Sequence, residues 1–352
     1  MKYENVCVET VVCRLPEEIV TTEEIETRLQ PVYERLHLHS GRLELMTGIK
    51  ERRLWPRGTR VGQQSIITAR DALEKSFLEP EKIGALVHGS VCRDFLEPAT
   101  ACGVHAGVGL SEKCMIFDVS NACLGILTGM LQIANMIELG EIEAGIVVGT
   151  EDSRSLLETT IQQMNEDTSL TRQSIKPLFA SLTIGSASAA MVLTHKNISR
   201  SKNHLLGAKV LANTRFCHLC QSDEENRMGD SMKTDSEELL IQGVDTARRL
   251  FPEFLKELGW TRESFSRYFC HQVGKAHQKL VINSLGLDPA GDFSTLEFMG
   301  NTGSAALPSA LALGLQQGIC EPGSCSALLG IGSGINSLML GIRWGETEPD
   351  AR

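Results

Sequence analysis

The chain repeats itself, and an internal repeat limits it to folds that set two copies of one unit against each other. The first copy runs through ALVHGS (85–90), a helical pattern closing at Gly109, the apolar stretch MIFDV, the small-residue turn SNACLG, a long helical pattern closing at Gly140, and AGIVVGT (144–150). The second copy has the same order: YFCHQV (268–273), a helix closing at Gly286, STLEF, the turn opening MGNTGSAALPSALAL and closing at Gly318, then CSALLGI. Each copy reads strand, helix, strand, helix, strand. The expected product is an α/β core with halves 1–195 and 196–352, related by a pseudo-twofold axis, with the two long helices at its centre. In the first of these helices Leu124, Leu127, Met130, Leu131, Ile133, Ala134 and Ile137 cover most of the surface, the pattern of a buried helix.

The repeat also aligns chemistry. Cys123 lies in the turn before the first long helix, Asn301 occupies the corresponding turn in the second half, and His271 falls opposite His88 at the end of an equivalent strand. A cysteine at a helix start meets unpaired N–H groups and the positive end of the dipole, which favour the thiolate. Taken singly, Cys123 reads equally as a core cysteine, His271 as a satisfied core histidine and Asn301 as a turn residue. Taken together, three polar side chains at matching strand ends and turns read as a Cys-His-Asn site. The loop LGIGSG (329–334) offers the N–H groups of Gly330, Ile331 and Gly332, which with that of Cys123 would receive an oxyanion.

Elsewhere the expectations are plainer. VCVETVVCR (6–14) reads as a strand, and a helix opens at Thr21 or Thr22 with acidic residues in its first turn. GIKERR followed by Trp55 reads as a basic loop in which Arg52, Arg53 and Trp55 bind a nucleotide diphosphate and stack its base, or as a solvated charged loop. Gly185, Ser186 and Ala187, in a strand of small residues from Ser181 to Leu193, leave room for an acyl chain or reflect close packing. A net charge of −10 excludes wholesale nucleic-acid binding. No apolar run is long enough to span a membrane, and the first ten residues do not form a signal peptide, so the expected location is cytoplasmic. The eleven cysteines then read as reduced thiols, and the isolated pair Cys217 and Cys220 as no metal site.

The motifs DVSNACLG, HQVG and GNTGSAALPSAL stand in the order and separation of the thiolase superfamily, which the chain resembles over its whole length. The resemblance is to the ketoacyl-acyl-carrier-protein synthase III branch. EEIETRLQPVYERL, SVCRDFLEPATA and LLGIGSGINS make the chain most similar to OleA-type enzymes, which join two fatty acyl-CoA molecules head to head in long-chain olefin synthesis. It implies a duplicated five-layered α-β-α-β-α fold, a homodimer and catalysis without a cofactor. It also implies that Cys123 is the acylated nucleophile and that His271 and Asn301 hydrogen-bond the thioester or enolate of the second substrate. The motif HQVG departs from the synthase III pattern, which has a further asparagine there. The alternative is a synthase III that decarboxylates malonyl-acyl carrier protein; a noncatalytic carrier-binding or dimerisation homologue is the third reading. Acyl-CoA or carrier-protein thioesters and downstream pathway enzymes are the expected partners.

Coupling two unactivated thioesters needs a base for the α-proton. The first half is longer than the second between His88 and Gly109, and the extra residues contain RDFLEP. Glu97, between Leu96 and Pro98, is either a carboxylate raised by partial burial or a solvated loop residue paired with Arg93. The resemblance implies the former, acting on the cysteine of the partner subunit.

Overall fold

The computed structural model of the chain describes residues 1–222 and 232–346. The N-terminal half contains β1 (Val6–Arg14), β2 (Glu18–Thr21), α1 (Thr22–Arg28), α2 (Gln30–Arg35), α3 (Arg42–Thr47), β3 (Glu51–Leu54) and α4 (Val61–Ser76). It continues through β4 (Ile83–Gly89), α5 (Thr100–Val108), β5 (Met115–Val119), α6 (Gly125–Glu138), β6 (Ala144–Glu151), α7 (Arg154–Glu166) and β7 (Ala187–His195). The C-terminal half contains β8 (His204–Ala212), β9 (Cys220–Ser222), β10 (Met232–Thr234), α8 (Ser236–Leu258) and β11 (Arg267–Cys270). It ends with α9 (Lys275–Leu285), α10 (Leu296–Met299), α11 (Ala306–Gln316), β12 (Cys325–Gly332) and β13 (Asn336–Arg343).

The halves repeat in space as they do in sequence. Their strands follow one another in the order β11-β12-β13-β8-β1-β7-β6-β4-β5, and the halves meet where Cys7 of β1 pairs with His204 of β8. In the first half β4 pairs in parallel with β5 and β6, and β7 is antiparallel to both β6 and β1. The second half has a parallel pair, β11 with β12, followed by antiparallel β13 and β8.

Side-chain alternation along the strands sorts the core into layers. Val87, Val147, Met191 and Leu193 face α6 and α11, together with Leu328, Leu338 and Leu340 from the second half. On the other face, Leu86, Ile146, Val148 and Val192 pack on Ala69 and Ala72 of α4 and Val104 of α5. In the second half Ala327, Leu329 and Met339 turn outward onto Phe251 and Phe254 of α8 and Val281 of α9. The result is α4/α5, sheet, α6/α11, sheet, α8/α9, the five layers expected. Helix α6 can be central because it is apolar nearly all round and closely approached: a Cβ on Gly125 would lie 2.8 Å from the Gly89 carbonyl carbon, and one on Gly129 2.7 Å from Val147.

Two expectations fail. STLEF is not a strand: 296–299 wind into α10, and only the isolated bridge Tyr268 with Asp292 marks the place of an edge strand. The small-residue strand begins at Ala187 rather than Ser181, because Lys176–Leu182 form a 3-10 turn opened by Pro177. The cap of α1 is Thr21, whose hydroxyl accepts the Glu24 N–H while the Glu24 carboxylate accepts the Thr21 N–H. Among the described residues no helix is long and apolar enough to cross a membrane.

Candidate active site

Strand β5 ends at Val119, and the chain turns sharply before α6. The turn is closed by the Leu124 N–H donating to the Asn121 carbonyl (2.9 Å), and Ala122 takes a left-handed φ of +45°. A non-glycine residue in that region costs free energy and is held only by surrounding structure. It sets half-buried Cys123 just ahead of α6. Burial pushes the Cys123 thiol up to about 12, the charges of Glu151 and Cys220 add to this, and the N–H groups of Cys123 and Ser333 oppose it. The thiolate expected from the helix start is therefore not the resting form. A dipole at a helix end contributes about 0.3–1 kcal/mol, whereas burying an anion can move a pKa by several units.

Two backbone N–H groups reach the sulfur, that of Cys123 itself and that of Ser333, the residue after Gly332. Gly330, Ile331 and Gly332 belong to β12 and pair with Leu338, Ser337 and Asn336. Their glycines instead permit close approach: a Cβ on Gly330 would lie 2.7 Å from Leu124, and one on Gly332 3.1 Å from Leu124 and 3.6 Å from the Cys123 nitrogen. A chain of side-chain bonds fixes the loop to the cysteine turn. Asn336 Nδ2 donates to the Ser333 carbonyl (3.3 Å) and to Asn121 Oδ1 (3.0 Å), and Asn121 Nδ2 donates to Thr128 Oγ1 (2.9 Å).

His271 follows β11, with its N–H on the Leu329 carbonyl of β12 (3.1 Å). It is buried, its Nδ1 has no partner among the described residues, and burial lowers its pKa to about 3, with nearby His277 adding. The ring is neutral at physiological pH and can take a proton or present one N–H. Gln272 anchors the next segment, its Oε1 accepting the Thr295 N–H (2.9 Å).

Asn301 is clamped by its backbone. Its N–H donates to the Thr183 carbonyl (2.9 Å), its carbonyl accepts the Gly185 N–H (2.9 Å), and its Oδ1 accepts the Gly303 N–H (3.0 Å). This explains Gly185: a Cβ there would sit 2.1 Å from the Met299 carbonyl oxygen. Gly185 is therefore accounted for by close packing, the second of its two readings. Ser186 accepts the Ser153 N–H (3.0 Å), and Ala187 is part of the central core. The basic loop is also reassigned. Residues 51–54 form β3, where Arg52 is fully buried and donates to Thr22 Oγ1 and the Leu182 carbonyl, both at 3.1 Å. Trp55 is buried with its Nε1 on the Glu151 carbonyl (3.1 Å), and Arg53 donates to the Pro16 carbonyl (3.1 Å). Arg52 and Trp55 are thus held inside the protein, out of reach of a nucleotide at the surface.

Glu97 is exposed, not partly buried, in the loop between β4 and α5. The loop is secured around it. Val91 and Cys92 N–H groups donate to the Glu151 carboxylate (3.1 and 3.2 Å), Gly62 N–H to Asp94 Oδ1 (3.1 Å), and Thr100 and Ala101 N–H groups to Asp118 (2.8 Å each). Beside Glu97, Phe95 and Leu96 are 45% and 79% exposed, and Met115 on edge strand β5 is 55% exposed.

A cavity of about 370 Å³ borders the cysteine turn between α6 and the β8–β13 pair. Asn121 and Leu124 line it at the turn, and Leu131, Val210, Leu211 and Leu338 farther along. A polar cavity of about 670 Å³ bounded by Glu23, Glu26, Glu34, His37 and His39 shares no residue with the site, and its glutamates repel a CoA phosphate.

Sequence reading missed Glu151 and Thr183, and it quoted LGIGSG and HQVG without singling out Ser333 or Gln272. Each acts through backbone groups or at a strand end, leaving no recognisable spacing in the sequence.

Two family profiles match the chain: Thiolase, N-terminal domain over residues 46–209, and 3-Oxoacyl-[acyl-carrier-protein (ACP)] synthase III C terminal over 255–344. An acyl-CoA:acyl-CoA alkyltransferase of Shewanella oneidensis is 39% identical, covering 98% of this chain and all of its own length, 100%. A β-ketoacyl-[acyl-carrier-protein] synthase III of Symbiobacterium thermophilum is 25% identical over 94% of this chain and 96% of its own. Among solved structures, a cysteine-to-serine variant of Xanthomonas campestris OleA with bound lauric acid and lauroyl-CoA superposes with a TM-score of 0.93 at 34% identity, covering 97% of this chain and 100% of that one.

Proposed function

The chain belongs to the acyl-CoA:acyl-CoA alkyltransferase family of the thiolase superfamily, and from that membership we infer that it joins two fatty acyl-CoA thioesters head to head by Claisen condensation without decarboxylation. The observation that carries this reading is full-length identity of 39% to an acyl-CoA:acyl-CoA alkyltransferase, against 25% to the synthase III relative.

In the proposed reaction Cys123 sulfur attacks the first thioester carbonyl as neutral His271 takes the thiol proton. The proton passes on to the departing CoA sulfur, so neither the free thiolate nor the imidazolium, both disfavoured by burial, has to persist. The tetrahedral oxyanion rests on the Cys123 and Ser333 N–H groups. The bond to CoA breaks, CoA leaves with the proton from His271, and the acyl group remains on sulfur. Glu97 then removes an α-proton from the second acyl-CoA. The enolate oxygen accepts hydrogen bonds from His271 and from the Asn301 amide, whose oxygen is already occupied by Gly303. The enolate carbon attacks the acyl-Cys123 carbonyl, sulfur departs and takes up the proton that Glu97 had removed, and a β-ketoacyl-CoA leaves. No step calls for a cofactor.

The edge of β5 and exposed Phe95, Leu96 and Met115 support a homodimer in which a second copy covers this face and Glu97 reaches the partner's cysteine. The division of labour assigns the nucleophile to 1–195 and the enolate donors to 196–352, in a cytoplasmic protein. The cavity beside Asn121 and Leu124 is proposed for an acyl chain, and Leu131→Trp is expected to shorten the accepted chain. The reaction itself is tested with labelled substrates. Long-chain acyl-CoA alone should yield β-ketoacyl product and free CoA, whereas product formed only with a malonyl donor would overturn the non-decarboxylative reading.

A further inference from the structure

The last residue of β6 carries a buried carboxylate that the reaction above does not use. Glu151 is 5% exposed. Its Oε1 accepts the Val91 N–H at 3.1 Å, the Ser304 N–H at 3.2 Å and the Ser304 hydroxyl, while its Oε2 accepts the Cys92 N–H at 3.2 Å. Three backbone donors and one hydroxyl form a socket suited to a carboxylate. The donors come from both sides of the molecule. Val91 and Cys92 begin the loop that carries Glu97, and Ser304 lies in the turn that carries Asn301. That turn sits flush on the carboxylate: a Cβ on Gly303 would lie 3.1 Å from Glu151 Cγ. Ser304 also donates to the Gly89 carbonyl (3.0 Å), closing the contact onto β4.

We propose that Glu151 is a positioning residue of the condensing site: its carboxylate clips the Glu97 loop to the Asn301 turn across the seam between the halves. The proposal rests on the condensation reading for what the positioned groups do, but the clip and the charge are properties of the folded chain alone. Burial is the main reason that the Cys123 thiol is raised, and the Glu151 charge adds to it. The titratable groups facing Cys123 are Glu151 from β6, Cys220 from β9 and, in the assigned site, neutral His271 after β11.

Glu151→Gln keeps the size and one acceptor oxygen while removing the charge. The test follows alkylation of the Cys123 peptide by iodoacetamide as a function of pH, alongside coupling of long-chain acyl-CoA. In the variant, alkylation at a fixed neutral pH should rise, because one of the charges that raise the thiol is gone, while coupling falls. A merely structural glutamate would not accelerate alkylation. Ser304→Ala separates the two roles: it removes one tie but keeps the charge, so coupling should fall while the alkylation profile stays with wild type. Overlapping wild-type and Glu151→Gln alkylation profiles would overturn the charge role, and unchanged coupling in both variants would overturn the clip. Neither alkylation result depends on which condensation the enzyme performs.

Discussion

The two halves share a strand-helix plan but finish their sheets differently. In the first half β5 completes the parallel edge, its end leads into the Cys123 turn, and its outer side remains unpaired. In the second half that edge is reduced to one bridge, and the chain instead coils through α10 into the turn that holds Asn301. A duplicated scaffold thus supplies matching positions, while the local change at the edge gives them different work. One half has an apolar edge suited to a second copy, and the other has a clamped amide suited to a substrate oxygen.

The largest expected effect breaks the first half. Cys123→Ala should abolish acyl-enzyme formation, read as the missing mass adduct after incubation with acyl-CoA; an adduct on the variant would move the nucleophile elsewhere. In wild type, alkylation of Cys123 should rise about tenfold per pH unit through neutrality, because the thiolate fraction grows with pH until the midpoint near 12 is reached. A plateau near neutrality would show a thiolate already formed.

Next come the second-half residues. Asn301→Ala should lower coupling by about 10²–10³-fold, the usual loss on removing an oxyanion donor, while retaining acylation, whereas His271→Ala also loses the acceptor of the thiol proton and should lower both half-reactions. Equal loss of both half-reactions in Asn301→Ala would erase the distinction between the halves.

The edge comparison is sharpened by mixed dimers of Cys123→Ala and Glu97→Ala subunits, each inactive alone in coupling. One of the two sites then carries both residues if Glu97 acts across the interface, so coupling should return to part of the wild-type rate. No recovery would confine Glu97 to its own subunit.

The smallest expected effect concerns Trp55. Trp55→Phe removes the hydrogen bond to the Glu151 carbonyl and should cost about 1 kcal/mol of stability, visible as a lower Tm, with KM for acyl-CoA unchanged. A raised KM would return Trp55 to the substrate site.

The sequence alone determined the duplicated architecture, the buried α6, and the Cys123, His271 and Asn301 positions at equivalent ends of the repeat. These follow from periodicity and from small-residue turns, which act over a few neighbouring residues. Tertiary structure decided what those patterns could not encode. Arg52 and Trp55 read as a basic, aromatic surface loop, yet β3 pairs with β2 and packs beneath the Thr183–Asn301 crossing, where their donors find carbonyls and a hydroxyl. Gly185 read as room for an acyl chain or as close packing, and only the fold shows that two backbones cross there. The Cys123 turn suggested an anion, yet burial and Glu151, brought from the end of another strand, keep the sulfur protonated. Each reversal has the same origin: solvation and charge depend on groups far apart in the chain, and their balance exists only after the halves have packed.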